Sequence, residues 1–360
     1  MTLTQLFTVA VILLVSLASV GCRDGLPPRL RPGCYPASTV GAPFVNPDRL
    51  GRHGYRFSLS EKNGIVYTCR GGHIDLAHLR IAADWTAYLT RKSFRHLMAG
   101  DTEFSYKLMV DRSRHYVALS YPADWADRSK AEREAVAREI SRALGPTLAY
   151  NMTNWHEILT WFGYKCVGLP TAFASAFSWE DSYSNLLGTI LATRALQDNE
   201  RSFNKALTVA LNEELDRLGA LPASVARQAT DQVKGHWFTG PIMMFMDIRK
   251  RNFDIGLRDG LVTPTLLPAV AECGDVTPAS YPAPNLEVLA RHGFAARLSV
   301  EPREWEAGAI LAVAYPDTKP RPRRVDLAVH LGPIMDYIEQ DALGRFGPQA
   351  QTQAGAADAR

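Results

Sequence analysis

No Cys-x-x-Cys pair occurs among the five cysteines of this 360-residue chain, which removes the zinc ribbon and the thioredoxin-type redox site. Charge of one sign is scarce too. A formal net charge of +3 is too small at this length to point to nucleic acid or to strong attraction by a membrane. There are no internal repeats. What remains is ordinary for a globular protein with a sizeable core, 46% hydrophobic and 21% charged, long enough for two domains or one large one. The most telling shortage is local. From Ala143 to Trp155 there is no charged residue, and after Glu157 none until Lys165. His156 and Glu157 are the ionisable groups of an otherwise apolar stretch, and a buried carboxylate and imidazole need partners.

The N-terminus carries an address. Leu6 to Val20 is apolar or small throughout, shorter than the ~20 apolar residues of a spanning helix and suited to the core of a signal peptide. Met1–Gln5 has no Lys or Arg. The run ends in Leu17-Ala-Ser-Val-Gly-Cys22, which resembles the cleavage box of bacterial lipoproteins, with Ser19 where leucine is usual. The resemblance implies that residues 1–21 are a signal peptide, that Cys22 is lipidated, and that the chain is held on the bilayer in the bacterial cell envelope, facing the periplasm; export without a lipid and a retained N-terminal membrane anchor are the alternatives. Cys34, Cys69, Cys166 and Cys273 then remain, an even number that permits two disulfides in three pairings; reduced buried thiols are the alternative.

Residues 22–50 are rich in Pro and Gly and read as a tether. A core domain with the candidate site is expected over 51–260, a smaller α+β part packed on it over 261–346, and a disordered tail over 347–360. Tyr55–Leu59 and Ile65–Thr68 are expected to pair through an Asn63-Gly64 turn, and Phe104–Val110 with Tyr116–Tyr121 as a second hairpin. Helical periodicity marks 74–97, 130–144, 147–162, 179–196, 202–218 and 223–234, with Pro146 at a helix start. Strands are expected at Phe294–Val300, Ala309–Ala314 and Arg324–His330, and a short helix at Gly332–Leu343. The class is α+β, a mainly helical core with short antiparallel strands and hairpins.

Three polar clusters carry the candidate chemistry. On the first helix Asp75 and His78 are three apart on one face, a geometry able to place a carboxylate and an imidazole on one metal ion. His73 stands at the helix start after two glycines. Cys69 and His73 together invite a thiol–imidazole reading, but a disulfide accounts for Cys69 more simply. In the helix after Thr147, an apolar stripe of Leu148, Met152, Trp155, Leu159 and Phe162 has His156 at its margin and Glu157 on the other side. In the third cluster Glu180 sits at the edge of the apolar face with Ser184, and Asp181 lies outside with Asn185 and Gly188. The helix dipole favours an acidic first turn there without any function, and a glycine permits another backbone to approach closely. The basic stretch Arg249-Lys250-Arg251 and the Arg321-Pro-Arg-Arg324 run read most simply as solvated surface, with contact to anionic lipid or cell-wall polymer as the alternative.

His156-Glu157 followed by Asp181-Ser-Tyr-Ser-Asn185-Leu-Leu-Gly188-Thr189 is similar to the metal-binding stretch of thermolysin-like zinc peptidases. That resemblance implies His156 as a ligand, Glu157 as the base that activates a bound water, Asp181 as the third ligand and Asn185 as its support. Thr160 stands where the second histidine belongs, so His78 or His73 has to replace it. The phrases TCRGGHIDLAHLR, NWHEILTWFGY and FSWEDSYSNLLGT resemble a family of bacterial envelope proteins of unknown function, which implies export and no particular activity. Two functions follow. One is a metal-dependent envelope hydrolase, with zinc or another divalent ion held by Asp75, His78, His156 and Glu180 or Asp181, and Glu157 as base. The other is a non-catalytic lipoprotein that binds a ligand or partner, its polar clusters structural. Neither involves nucleic acid.

Overall fold

Strand β1 (Ile65–Thr68) pairs antiparallel with β2 (Gly72–Asp75), and Asp75 then caps α1 (Leu76–Ala99), so hairpin and helix are one continuous unit. This is a computed structural model, describing residues 25–34, 36, 43–165, 172–240 and 246–350. The run expected to be a signal peptide, Cys22, Cys166 and the tail beyond residue 350 lie outside the described residues. No helix among the described residues is long and apolar enough to cross a membrane.

The chain continues through β3 (Glu103–Tyr106), β4 (Arg114–Ser120), α2 (Lys130–Trp161), α3 (Asp181–Gln197), α4 (Phe203–Leu218) and α5 (Ala223–Gln232). Two-stranded ladders β5/β6 (Phe238–Thr239, Asp247–Ile248) and β7/β8 (Leu261–Val262, Tyr281–Pro282) follow, then α6 (Glu287–Arg291), β9 (Ala295–Glu301), α7 (Ala307–Ala314), β10 (Val325–Asp326) and α8 (Leu327–Phe346). The largest sheet has the order β10-β9-β4-β3, all antiparallel, with Val117 opposite Leu298. The α+β class with a helical core is therefore correct, and the C-terminal part completes a sheet begun before α2.

Several local expectations give way. Tyr55–Leu59 forms no strand; Phe57 and Leu59 are exposed, and the hairpin turn falls instead at residues 69–71, where Thr68 Oγ1 accepts the Gly71 N–H. Pro146 does not begin a helix but lies inside α2, which runs unbroken for 32 residues from a Ser129–Glu132 capping box. The carbonyl that loses its partner to proline is that of Arg142, an exposed residue. Ala309–Ala314 is helical, and the strand expected at Arg324–His330 stops after two residues because Asp326 accepts the Ala328 N–H and starts α8. The stretch expected to be a tether is packed where it is described. Arg31 is buried, bonded to Glu61 at 2.8 Å and to Asp84 at 2.6 Å. The tail begins with an ordered turn, Pro348–Ala350, with Ala350 buried.

Two glycines draw the central helices together. A Cβ on Gly145 would fall 1.9 Å from Thr90 Oγ1, which brings α2 onto α1, and one on Gly188 would fall 2.1 Å from the Leu79 carbonyl oxygen, which brings α3 onto the same helix. The apolar stripes close around these contacts: Leu79, Ala83, Trp155, Leu159, Tyr183 and Leu187 share one core, and Trp85, Leu89, Leu148, Met152 and Val117 another. Because the Gly188 obstacle is backbone, Gly188→Ala is expected to destabilise the fold by about 3 kcal/mol or more, beyond the usual overpacking range. A chemical-denaturation midpoint equal to wild type would show that α3 does not need that closeness.

Candidate functional site

The contact of α1, α2 and α3 delivers the three polar clusters to one place. Asp75 Oδ1 accepts the Ala77 N–H at 2.6 Å as the cap of α1, while Oδ2 meets His78 Nδ1 at 2.6 Å and accepts the Cys34 N–H at 2.7 Å. The Asp75 N–H in turn donates to Ser184 Oγ at 2.9 Å, tying the start of α1 to the first turn of α3. Asp181 Oδ1 stands 3.4 Å from His78 Nδ1, and Glu157 Oε1 stands 3.9 Å from His78 Nε2. One ligand atom from each of Asp75, His78 and Asp181 lies within 4.8 Å of the others, a group able to hold a metal ion.

Glu157 is aimed by the backbone. Its Oε2 accepts the N–H of Phe177 at 2.9 Å, and Phe177 has φ of 51°, the only positive value for a non-glycine among the described residues. A left-handed conformation at a bulky residue is unfavourable by about 1 kcal/mol or more and persists only where the surroundings impose it. Glu180 Oε2 accepts the Ser178 hydroxyl at 2.7 Å. Glu180 Oε1, Asp181 Oδ1 and both polar atoms of the Asn185 side chain have no hydrogen-bond partner among the described residues.

Arg251 completes the electrostatics, and it is not surface. It is fully buried, its guanidinium over the rings of Trp161 and Phe346 and donating to the Ala176 carbonyl, and it feels the charges of Asp181, Glu157 and Glu180. Burial lowers its pKa to about 10. Four carboxyl groups, of Asp75, Glu157, Glu180 and Asp181, thus face one imidazole and one guanidinium in a site where only His78 has appreciable exposure. The acidic excess shows in the titration. Burial, then the Glu157 charge, raises Asp181 well above the carboxylate range, and burial takes Glu180 to about 8 against the Ser178 hydrogen bond. Burial opposes a charged His78, but Asp181 and Asp75 outweigh it and hold the imidazole well above its usual value. Two protons, or one divalent cation, balance such a site.

The other candidates lie elsewhere. His156 Nδ1 bonds Asp111 Oδ1 at 2.8 Å beneath the Tyr164 ring, outside the three-residue group; burial opposes its protonation, yet Asp111 raises it to about 9. His73 is enclosed, receiving the Trp179 indole N–H on Nδ1 at 3.0 Å and meeting Thr230 Oγ1 at 2.7 Å with Nε2; burial lowers its pKa to about 3. Both ring nitrogens are occupied, so it offers no ligand atom. Cys69 is in a disulfide with Cys273. Three sequence-silent residues matter: Arg251, Asp111 and Cys34. Nothing in their spacing marks them, since each meets its partner from a distant segment.

The group is roofed by the N-terminal segment. Gly33 sits on the His78 ring so closely that a Cβ there would lie 2.9 Å from Cε1, and burial, reinforced by Asp75 and Glu180, pushes the Cys34 thiol to about 12. Cavities of about 570, 530 and 460 Å³ open on other faces, and none is lined by these residues.

No curated protein and no solved structure matches the chain. The pattern of a protein family does match, over residues 38–259, and that span holds Asp75, His78, His156, Glu157, Glu180 and Asp181. With more than half its length so matched, this chain belongs to the family described as protein of unknown function (DUF4056).

Proposed function

We propose that this is an exported envelope lipoprotein, anchored through Cys22 and facing the periplasm, whose Asp75–His78–Asp181 group holds a divalent cation for a hydrolytic reaction. The observation that carries the metal reading is the buried surplus of carboxyl groups, with Asp181 Oδ1 and Glu180 Oε1 accepting no hydrogen bond among the described residues and Asp181 Oδ1 meeting only the His78 imidazole at 3.4 Å. Such atoms are expensive to bury unless something polar or charged meets them. One imidazole with carboxylate oxygens suits zinc, manganese or iron(II) better than copper(I) or another soft ion. A bound divalent ion lowers the pKa of a coordinated water to near neutrality. Glu157 is then the base: Phe177 fixes one oxygen, and the other, 3.9 Å from His78, is left to take a proton. The Cys69–Cys273 disulfide supports export, since such bonds persist in oxidising compartments.

The test is metal content of untagged protein, stripped and then exposed to excess zinc or manganese. About one ion per chain is expected, lost in His78→Ala and Asp181→Asn and retained in Glu157→Gln. A content near zero in wild type overturns the reading. One observation favours the non-catalytic alternative: both Asp75 oxygens are already hydrogen-bonded, as in a purely structural helix cap. An unchanged unfolding midpoint on chelation, together with that zero content, would establish it.

A further inference from the structure

The cavity of about 460 Å³ lies on the outer side of α1 and α2, apart from the acidic cluster. Arg91 and Arg95, one turn apart on α1, and Arg138 and Arg142, one turn apart on α2, line it, and no carboxylate does. The nearest acid paired with any of the four is Glu134, 3.7 Å from Arg138. In a chain whose net charge is only +3, four guanidinium groups around one hollow are a marked local surplus. Two are oriented by aromatic faces: Arg138 lies 5.4 Å over the Phe94 ring and Arg91 5.2 Å over that of Tyr55. Stacking of that kind leaves the N–H edges of a guanidinium available for bidentate contact with a phosphate.

Gly25 is part of the same wall, close enough to Arg95 that a Cβ there would lie 3.0 Å from Nη1. Three peptide units separate Gly25 from Cys22, so the two Cα atoms are at most about 11 Å apart. A lipid on Cys22 would hold this wall at the bilayer surface. We infer that the arginine-lined cavity between α1 and α2 binds the phosphate of an anionic phospholipid headgroup, which orients the protein on its membrane. The choice of lipid over free phosphate rests on the lipid-anchor reading above; the phosphate chemistry does not.

The full chain is titrated calorimetrically in 0.1 M salt with dihexanoyl phosphatidylglycerol below its micelle concentration, with the phosphatidylcholine analogue and with glycerol phosphate. Saturable binding of the phosphatidylglycerol is expected, at least tenfold tighter than the other two. It should weaken tenfold or more in Arg91→Gln/Arg142→Gln and several-fold at 0.5 M salt, where surface charges are screened. These side chains are exposed, so the unfolding midpoint should not move, and Arg95→Gln/Arg138→Gln gives a second, independent variant. Glycerol phosphate binding as tightly as the lipid overturns the lipid as ligand. No saturable binding, or binding unaffected in both double variants, overturns the site. Incorporation of labelled palmitate reads the anchor separately: label without binding fails the cavity alone, and binding without label fails the anchor alone.

Discussion

Cys69→Ser/Cys273→Ser is expected to lower the stability of the fold by about 5 kcal/mol, the chain-entropy value for closing a loop of about 200 residues. The two cysteines are 204 positions apart, and their bond joins the β1–β2 turn to the segment that follows Leu267 over α5. Cutting it frees the unfolded chain from its longest covalent constraint among the described residues while leaving most native contacts in place. Denaturant midpoints of wild type with and without reductant, and of the variant, measure the effect. Reduction should shift the wild type to the variant's midpoint and leave the variant where it is. A variant as stable as oxidised wild type would mean that this crosslink constrains nothing the fold does not already hold.

Arg31→Met should have the second large effect. Its guanidinium meets Glu61 and Asp84, all three side chains about 1% exposed or less, while Arg29 also pairs with Glu61 and His53 Nε2 reaches Asp84 at 2.8 Å from the other side. Removing Arg31 leaves Asp84 with His53 and Glu61 with the partly exposed Arg29, so the two buried carboxylates are undercompensated, a loss of about 3 kcal/mol. The pH dependence identifies the cause. Burial favours a protonated Glu61, but the Arg31 hydrogen bond and charge outweigh it and lower the pKa to about 2. A carboxylate whose folded pKa is depressed contributes stability that is complete above its unfolded pKa, near 4.5, and lost as pH falls through 2. The gap between wild type and Arg31→Met should therefore be largest above pH 4.5 and narrow as pH falls toward 2. A gap independent of pH would assign the loss to packing. Arg31 also anchors the segment in which Gly33 and Cys34 cover His78 and Asp75, so its variant should exchange metal faster at the proposed site than wild type.

Much of this molecule was legible from short-range pattern. The apolar stripe of α2, the Trp179–Leu196 pattern, the second hairpin and the strand at Phe294–Val300 all report local period, and each has its counterpart in the fold. The demand that His156 and Glu157 find partners was equally clear, because desolvation depends on the residues immediately around them. Period does not say whether a helix stops or runs on at a proline, and only the packing of Gly145 and Pro146 against the core shows that α2 continues through Pro146. Nor does it distinguish a strand from the helix that a capping aspartate begins, as at Asp326.

Which partner each polar group meets was decided by tertiary structure. Asp111 reaches His156 across 45 positions, Asp75 meets Cys34 across 41, and Arg251 comes in beside the acids from a stretch whose charges read as surface. Two backbone approaches, at Gly145 and Gly188, set α2 and α3 against α1, which puts Glu157 and Asp181 beside His78. The composition around the acids announced a buried polar site. Its membership, with His78 inside and His73 and His156 outside, depends on helix packing, because a ligand set is a matter of a few ångströms between segments that sequence spacing leaves unrelated.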